Sequence, residues 1–547
     1  MSKPVKMPPT PLGLLARRGP LIVLAVALVL AAGIRIRLLS MPLERDEGEY
    51  AYGGQLMLEG VPPYEGAANM KLPGTAMMYA ATMAVFGQTP SGIHFGLLLV
   101  NLGGALMVFL LFRRLCGPWV GALAGGGYAL MSTSPTVLGL AGHATHYVLL
   151  FSLAGLVVLL RALESGRRRT FFAAGVLLGL GILMKQSSAP FVLLALFTIA
   201  WDGWRTSPVA WGRLVARAGL LVGGAVLPLA ALAAWLWAAG AFDAFVFWVF
   251  TYGWQYAARL PLDVGMQNLY QGIGGVMGPY VAVWILAGLG LIAVVADEKA
   301  RRAAPMILGL TLFSLLATSA GLYWREHYFI LMLPAVAGLA AVAVDVAARW
   351  AAEGRLPRAV QAVPALALAA ALVYATVDQA EYLFRQTPDE ACRARYWCNP
   401  FVESVEIGRY LRAHAAPDDR IAVLGSEPQI FFYAHRRSVS PVLYTYPLME
   451  PHPYASEMQR DLIRAIETAR PRYVVFVSNP LSWLAQPDSD QAILKWASGY
   501  FNTGYQRVGV IDMFSPAYTE YRWDAQTRGY RPRSPVFITV LRREDGE

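Results

Sequence analysis

PLIVLAVALVLAAGIRIRLLSMPLERDEGEYAY, residues 20–52, sets two chemistries side by side. Its first part is an apolar stretch whose reach, about 20–39, matches the roughly 17–25 residues of a bilayer-crossing helix. Its second part crowds Glu44, Arg45, Asp46, Glu47 and Glu49 around Gly48. Four acids and an arginine directly after a membrane span place ionisable groups at a membrane mouth, where water is still available to them.

Outward from this stretch the apolar pattern repeats. The 547-residue chain is 56% hydrophobic and 15% charged, well below the roughly 25% charged residues of soluble domains. The deficit is confined to residues 20–377, whereas 378–547 read as an ordinary water-soluble domain. The net charge of +10 could suggest nucleic acid, but its placement argues otherwise. Arg17/Arg18, Arg113/Arg114, Arg167–Arg169, Arg213/Arg217, Lys299/Arg301 and Arg355/Arg358 sit in short gaps between apolar runs. Cytoplasmic loops collect Lys and Arg in this way, and no continuous basic groove for nucleic acid is present. Arg17/Arg18 precede Leu21–Gly33 like the start of a signal peptide, but no small-residue cleavage site follows, so the run reads as a retained first span.

With the basic clusters inside, a path of about 11 transmembrane helices results. After a cytoplasmic N-terminus (1–19), span 1 (about 20–39) exits into a long outer loop, 40–91, whose short apolar stretch Thr75–Phe86 reads as interfacial helix. Spans 2 to 7 follow at about 92–112, 119–134, 146–161, 170–184, 189–203 and 215–238. An aromatic-rich outer loop (about 239–274) precedes spans 8 to 11 at about 276–296, 304–322, 328–347 and 360–377. The tail is then extracytoplasmic. There Cys392 and Cys398 would meet an oxidising compartment and pair, while Cys116 stays alone on the cytoplasmic side. Within the tail, Glu403–His414 and Ser456–Ala469 read as helices, and Arg420–Leu424, Tyr473–Ser478 and Pro535–Leu541 as strands. A small α/β domain is expected. No phosphate loop, nucleophile elbow or zinc spacing occurs in it, so it is expected to dock or face an acceptor rather than carry chemistry.

The first outer loop continues as Leu58-Glu59-Gly60-Val61-Pro62-Pro63-Tyr64 and Lys71-Leu72-Pro73-Gly74, a rigid path that sets a lone lysine beside a proline-fixed turn. An acid and a lysine at the lipid–water boundary suit transfer of a sugar from a polyprenyl phosphate. A cation stabilises the leaving phosphate as its charge develops, and a carboxylate on the opposite side takes the proton of an incoming hydroxyl.

The series D-E-G-x-Y-A, G-x-P-P-Y and K-x-P-G resembles the GT-C glycosyltransferases of the protein O-mannosyltransferase and lipid A aminoarabinose transferase superfamily. The resemblance extends to Lys185-Gln186, to His327-Tyr328-Phe329 and to the tail. It implies a polytopic α-helical membrane protein with a C-terminal extracytoplasmic α/β domain. It further implies Asp46 as catalytic base, Glu47 as its companion in contact with substrate and Lys71 as a donor-phosphate contact. A bacterial inner-membrane location, with site and tail on the periplasmic side, goes with it.

The chain departs from the family where relatives carry a second acid, at the mouth of span 4. Here the residues are His143 and His146. Three apart, they share a helix face and would bind a divalent metal or the donor phosphate, or simply hydrogen-bond at a helix start. The second acid is then Glu44 or Glu49. His327 and Arg325 at the mouth of span 10, and Arg259 in the aromatic loop, are further candidates for substrate. Arg325 would clamp phosphate or pair with Glu326, and the aromatics near Arg259 would stack on sugar or form an interface belt. Donor, membrane lipid and a lipid, glycan or protein acceptor are the expected partners, and no cofactor beyond a possible divalent metal. A transporter or flippase of lipid-linked sugars is the alternative; it would show repeats and midplane charges, which are not evident. A ligase acting on lipid diphosphate-linked glycans would leave the first-loop acids unexplained.

Overall fold

A computed structural model describes residues 11–205 and 210–544, with side chains from Arg18 onward. Most of the N-terminal segment 1–19, including the Arg17 side chain, therefore lies outside the described residues, as do the last three of the tail. Among the described residues, seven helices are long and apolar enough to cross a membrane: Arg18–Arg37, Pro90–Cys116, Ala144–Ser165, Trp211–Ala238, Leu262–Ala296, Glu326–Glu353 and Arg358–Asp378. The four other expected spans are also helical, but shorter: Pro118–Met131, Arg168–Met184, Ala189–Trp204 and Ala304–Thr318. At 1.5 Å per residue their 14–17 residues reach about 21–26 Å, short of a hydrocarbon core of about 30 Å. One boundary differs clearly. Helix begins at Leu262, inside the expected aromatic loop, and bends through Gly278–Tyr280 before running on to Ala296. Pro279 has no N–H to give the ladder, which accounts for the bend.

Close packing of small residues holds the helical part. In the segment Glu326–Glu353, 94% of the most apolar window is buried. Its Gly338 meets Phe112 so closely that a Cβ would lie 1.8 Å from the ring. Gly175 and Gly179 likewise sit against the carbonyls of Leu221 and Ala225, 2.0 and 2.2 Å from where a Cβ would be. Without water to drive association in lipid, such backbone approach provides the contact.

Residues 40–91, the expected outer loop and here the first loop, fold into two helices, Arg45–Leu58 and Gly74–Phe86, that pack together. The tail is a six-stranded sheet of β1 (Arg420–Leu424), β2 (Arg437–Ser438), β3 (Tyr473–Ser478), β4 (Tyr505–Ser515), β5 (Tyr518–Trp523) and β6 (Phe537–Arg543). The order is β2-β1-β3-β6-β4-β5, with β1 parallel to β2 and β3 and the other pairs antiparallel. The expected β1 and β3 have the observed limits. The β4–β5 hairpin was not expected, because register breaks at Arg507/Gly509 and Met513/Ser515 disrupt the alternation that marks a strand.

The expected disulfide is absent: Cys392 and Cys398 are free thiols. Helix Pro388–Tyr396 turns Cys392 inward to the Pro42 carbonyl. Cys398 lies beyond the helix end, at a backbone φ of 74°. The chain reversal at the helix end carries the two sulfurs to different surroundings, so a spacing that suits pairing on paper does not bring them together.

Candidate active site

Between the first loop, the helix mouths and the tail lies a cavity of about 510 Å³. Helix Arg45–Leu58 delivers the acids to it. Glu44 is the N-cap, accepting from the Glu47 amide at 2.9 Å, while the Glu47 carboxylate accepts from the Glu44 amide at 3.2 Å. This reciprocal box fixes the rotation of the first turn. Asp46 consequently faces the cavity, and Glu47, one position on, faces the protein. Glu47 is fully buried and accepts from His94 Nε2 at 2.9 Å and from the Gly142 amide. It does not line the cavity. The expected substrate contact at Glu47 is thus corrected: it pins the 142–143 turn to the first loop, and Tyr79 secures the same turn through the Gly142 carbonyl at 2.8 Å.

Lys71 reaches back from the K-x-P-G turn to Asp46 at 3.0 Å and to Glu49 at 3.1 Å. The Tyr444 hydroxyl, from the tail, lies 2.8 Å from the same Glu49 oxygen and 3.4 Å from Asp46. Burial alone would raise the Asp46 carboxyl, but Lys71 and His143 overcome it and hold the group well below the usual carboxylate range. Burial would lower the Lys71 ammonium; Asp46 and Glu49 reverse that and raise it well above its ordinary value. Glu49 is raised by burial, which Lys71 offsets in part, and burial, opposed by His143 and reinforced by Asp46, pushes Glu44 up to about 7. The expectation that acid and lysine flank a sugar from opposite sides does not describe this state, in which the two are in contact.

The histidines separate. His143 and His327 stack face to face, centroids 3.9 Å apart and planes 6° from parallel. Both line the cavity. His143 Nδ1 is 3.7 Å from Asp46 and 3.8 Å from Glu44. Burial would lower the His143 imidazole, but Glu44 and Asp46 raise it. His146 turns away into the helix packing and does not line the cavity. The expected His143–His146 pairing is therefore replaced by another group: Asp46, His143 and His327 each offer a ligand atom, all within 4.8 Å of one another. Both His143 ring nitrogens are buried without a hydrogen-bond partner, so the donor set suits a divalent cation of nitrogen and oxygen preference.

Arg325 lines the cavity, lies 5.5 Å from the Tyr323 ring centre, and has no carboxylate partner among the described residues. Its alternative pairing with Glu326 is excluded, because Glu326 is taken by Arg395 at 2.8 Å. Lys185, at the break between two short helices, sits 3.8 Å from the Tyr328 ring centre and also lacks a carboxylate partner among the described residues. Burial, with Lys71 adding to it, lowers its ammonium to about 7. In the sequence this lysine stands out only through the family resemblance. Arg259 is not in the cavity wall; it pairs with Glu450 of the tail at 2.8 Å, and Tyr252 donates to the other Glu450 oxygen at 2.9 Å.

The tail also contributes to the site. Val442, Leu443, Tyr444, Tyr446 and Glu450 form one wall of the cavity. Docking is specific: Arg45 pairs with the fully buried Glu427 at 3.0 Å and donates to Asn399 at 3.0 Å. A parallel bridge joins Ala68 to Val442.

The family model for dolichyl-phosphate-mannose-protein mannosyltransferases matches residues 70–239. ArnT from Cupriavidus metallidurans, solved bound to undecaprenyl phosphate, is similar over 96% of this chain and 98% of its own, at 15% identity and a TM-score of 0.56. The oligosaccharyltransferase AglB from Archaeoglobus fulgidus, in complex with an inhibitory peptide and a dolichol-phosphate, is similar over 95% of this chain and 76% of its own, at 13% identity and a TM-score of 0.54. The fold is GT-C. A further Archaeoglobus fulgidus oligosaccharyltransferase structure, complexed with Zn and sulfate, matches over 94% of this chain and 74% of its own, at 13% identity and a TM-score of 0.50. No curated protein sequence matches the chain. In this GT-C fold the cavity lies between the first loop and a tail that contributes residues to it.

Proposed function

We propose that this protein is an inverting glycosyltransferase that moves a sugar from a polyprenyl-phosphate donor to a hydroxyl-bearing acceptor at the outer face of a membrane, in bacteria the inner membrane with the site on the periplasmic side. The observation that carries this reading is one cavity holding Asp46 together with two cations, Lys185 and Arg325, that have no carboxylate partner among the described residues. An ionised carboxylate suits a proton acceptor. Unpaired cations suit a phosphate whose charge grows from one to two as the sugar leaves. The lipid phosphates held by ArnT and AglB support a donor of that kind, and the family model supports a sugar attached to it.

In the reaction the acceptor hydroxyl gives its proton to Asp46 as its oxygen bonds to the anomeric carbon. The bond from that carbon to the phosphate oxygen breaks, and both electrons go to the phosphate. Lys185 and Arg325 stabilise the departing charge; Lys71 joins them once it leaves Asp46. Trp248 and Trp254 offer flat apolar walls for sugar or lipid. A divalent metal, bound by Asp46, His143 and His327, would supply additional electrostatic stabilisation of phosphate.

The deciding experiment is Asp46→Asn in the purified full-length protein, in detergent, where no gradient can drive transport. Transfer from a polyprenyl-phosphate sugar should fall about 10²–10⁴-fold with folding unchanged. Transfer at the wild-type rate in that variant overturns the assignment of Asp46.

A further inference from the structure

Glu49 is an acid that the proposed reaction does not use. It is absent from the wall of the large cavity and abuts a smaller one beside it. Both of its oxygens are engaged within the protein: Asn69 donates to one, and Lys71 and Tyr444 reach the other, at 3.1 and 2.8 Å. A carboxylate so enclosed neither takes a proton from substrate nor touches it. What it does touch is Lys71, a group that a lipid phosphate would engage from the cavity side.

Lys71 is therefore shared among three anions once a phosphate arrives: Asp46, Glu49 and the phosphate. An ammonium that two carboxylates already neutralise attracts a third anion weakly. Tyr444 bears on the same balance. Its hydroxyl shares the Glu49 oxygen with Lys71, and each donor to one oxygen weakens that oxygen's hold on the other. Tyr444 stands on the tail segment that Ser426 anchors, through the Thr445 amide at 3.0 Å. Its position accordingly reports whether the tail is docked.

We infer that Glu49 is a positioning residue that competes with the donor phosphate for Lys71, and that Tyr444 of the docked tail moderates that competition. The inference rests on the transferase reading, since the competing anion is the donor's phosphate. It assigns opposite signs to two neighbouring substitutions. Glu49→Gln keeps the shape and removes the competing charge, so phosphate binds more tightly. Tyr444→Phe removes a donor that weakens Glu49, so Glu49 holds Lys71 harder and phosphate binds more weakly.

The test is binding of undecaprenyl phosphate to the detergent-purified full-length chain, followed by quenching of the cavity tryptophans. Glu49→Gln should tighten binding roughly tenfold, and Tyr444→Phe should loosen it roughly threefold. The double variant should behave like Glu49→Gln alone, because Tyr444 has no charge left to moderate. General structural damage weakens both single variants and overturns the proposal. So does unchanged binding in Glu49→Gln. Equal loosening by Tyr444→Phe in both backgrounds marks a direct contact with the lipid and overturns the role given to the tail. If the wild type does not bind the probe at all, the donor reading itself fails.

Discussion

Lys185→Met should make the ligand-free protein more stable in mild acid and weaken its hold on a lipid phosphate. The ammonium is lowered to about 7 from its ordinary value of 10.5, chiefly by burial and next by Lys71. One unit corresponds to about 1.36 kcal/mol, so the difference of roughly 3.5 units is an upper bound near 4.8 kcal/mol. Lys185 keeps some contact with solvent, and screening reduces this to about 2 kcal/mol. Below pH 7 the lysine is charged both folded and unfolded, so the full penalty applies. As pH rises from about 7 towards 10.5, the folded protein has lost the proton and the unfolded chain has not, so wild-type stability climbs towards that of the variant. Apparent unfolding temperatures of the detergent-purified proteins at pH 6 and pH 9 provide the assay. The variant should melt a few degrees higher at pH 6, with a smaller gap at pH 9. Undecaprenyl phosphate should raise the wild-type value more than the variant's, because the bound anion compensates the charge. A variant that melts lower at pH 6, or gains as much from the lipid as the wild type, refutes the reasoning.

Further outcomes follow from other contacts. Glu427→Gln leaves Arg45 without its buried partner and should lower stability by about 3 kcal/mol, read as a lower denaturation midpoint with faster proteolysis of the tail. Gly142→Ala puts a Cβ 2.1 Å from the Tyr79 hydroxyl and so displaces His143; transfer should drop at least about tenfold while the protein still elutes as a folded species. A maleimide under native conditions should label Cys398, which is partly exposed, and spare the buried Cys392; blockage of both that dithiothreitol reverses would reinstate the disulfide.

The parts of this structure that the sequence made legible are those set by neighbours in the chain. Asp46 is placed by a capping box four residues long, and Lys71 by the turn that Pro73 rigidifies. The apolar runs announce their helices because length and composition are local properties. The face each residue presents is another matter. Successive helix residues point about 100° apart, and only the contacts of Glu47 with Gly142 and His94 separate its interior position from the place of Asp46 in the cavity. His143 and His146 misled for the same reason: their spacing suits a shared face, but His143 is a cap and its partner, His327, comes from a distant helix. Tyr444 and Glu450 carried no signal at all. Their relevance arises from the docking of the tail on the first loop, which no periodicity records.

That docking also bears on how the protein is made. Arg45 waits for Glu427, 382 positions later in the chain. At synthesis rates of about 5–20 residues per second, the interval is roughly 20–80 seconds. Throughout it the first loop carries its acids and Lys71 but lacks one wall of the cavity. A nascent chain in this state cannot yet enclose the cavity, and its Arg45, without Glu427, and its Tyr52, without the Phe431 ring that packs on it, stand open to chaperones or proteases. Completion of the tail therefore acts as a timer on maturation, and chains that stop short of residue 450 should be cleared rather than accumulate as partial enzymes.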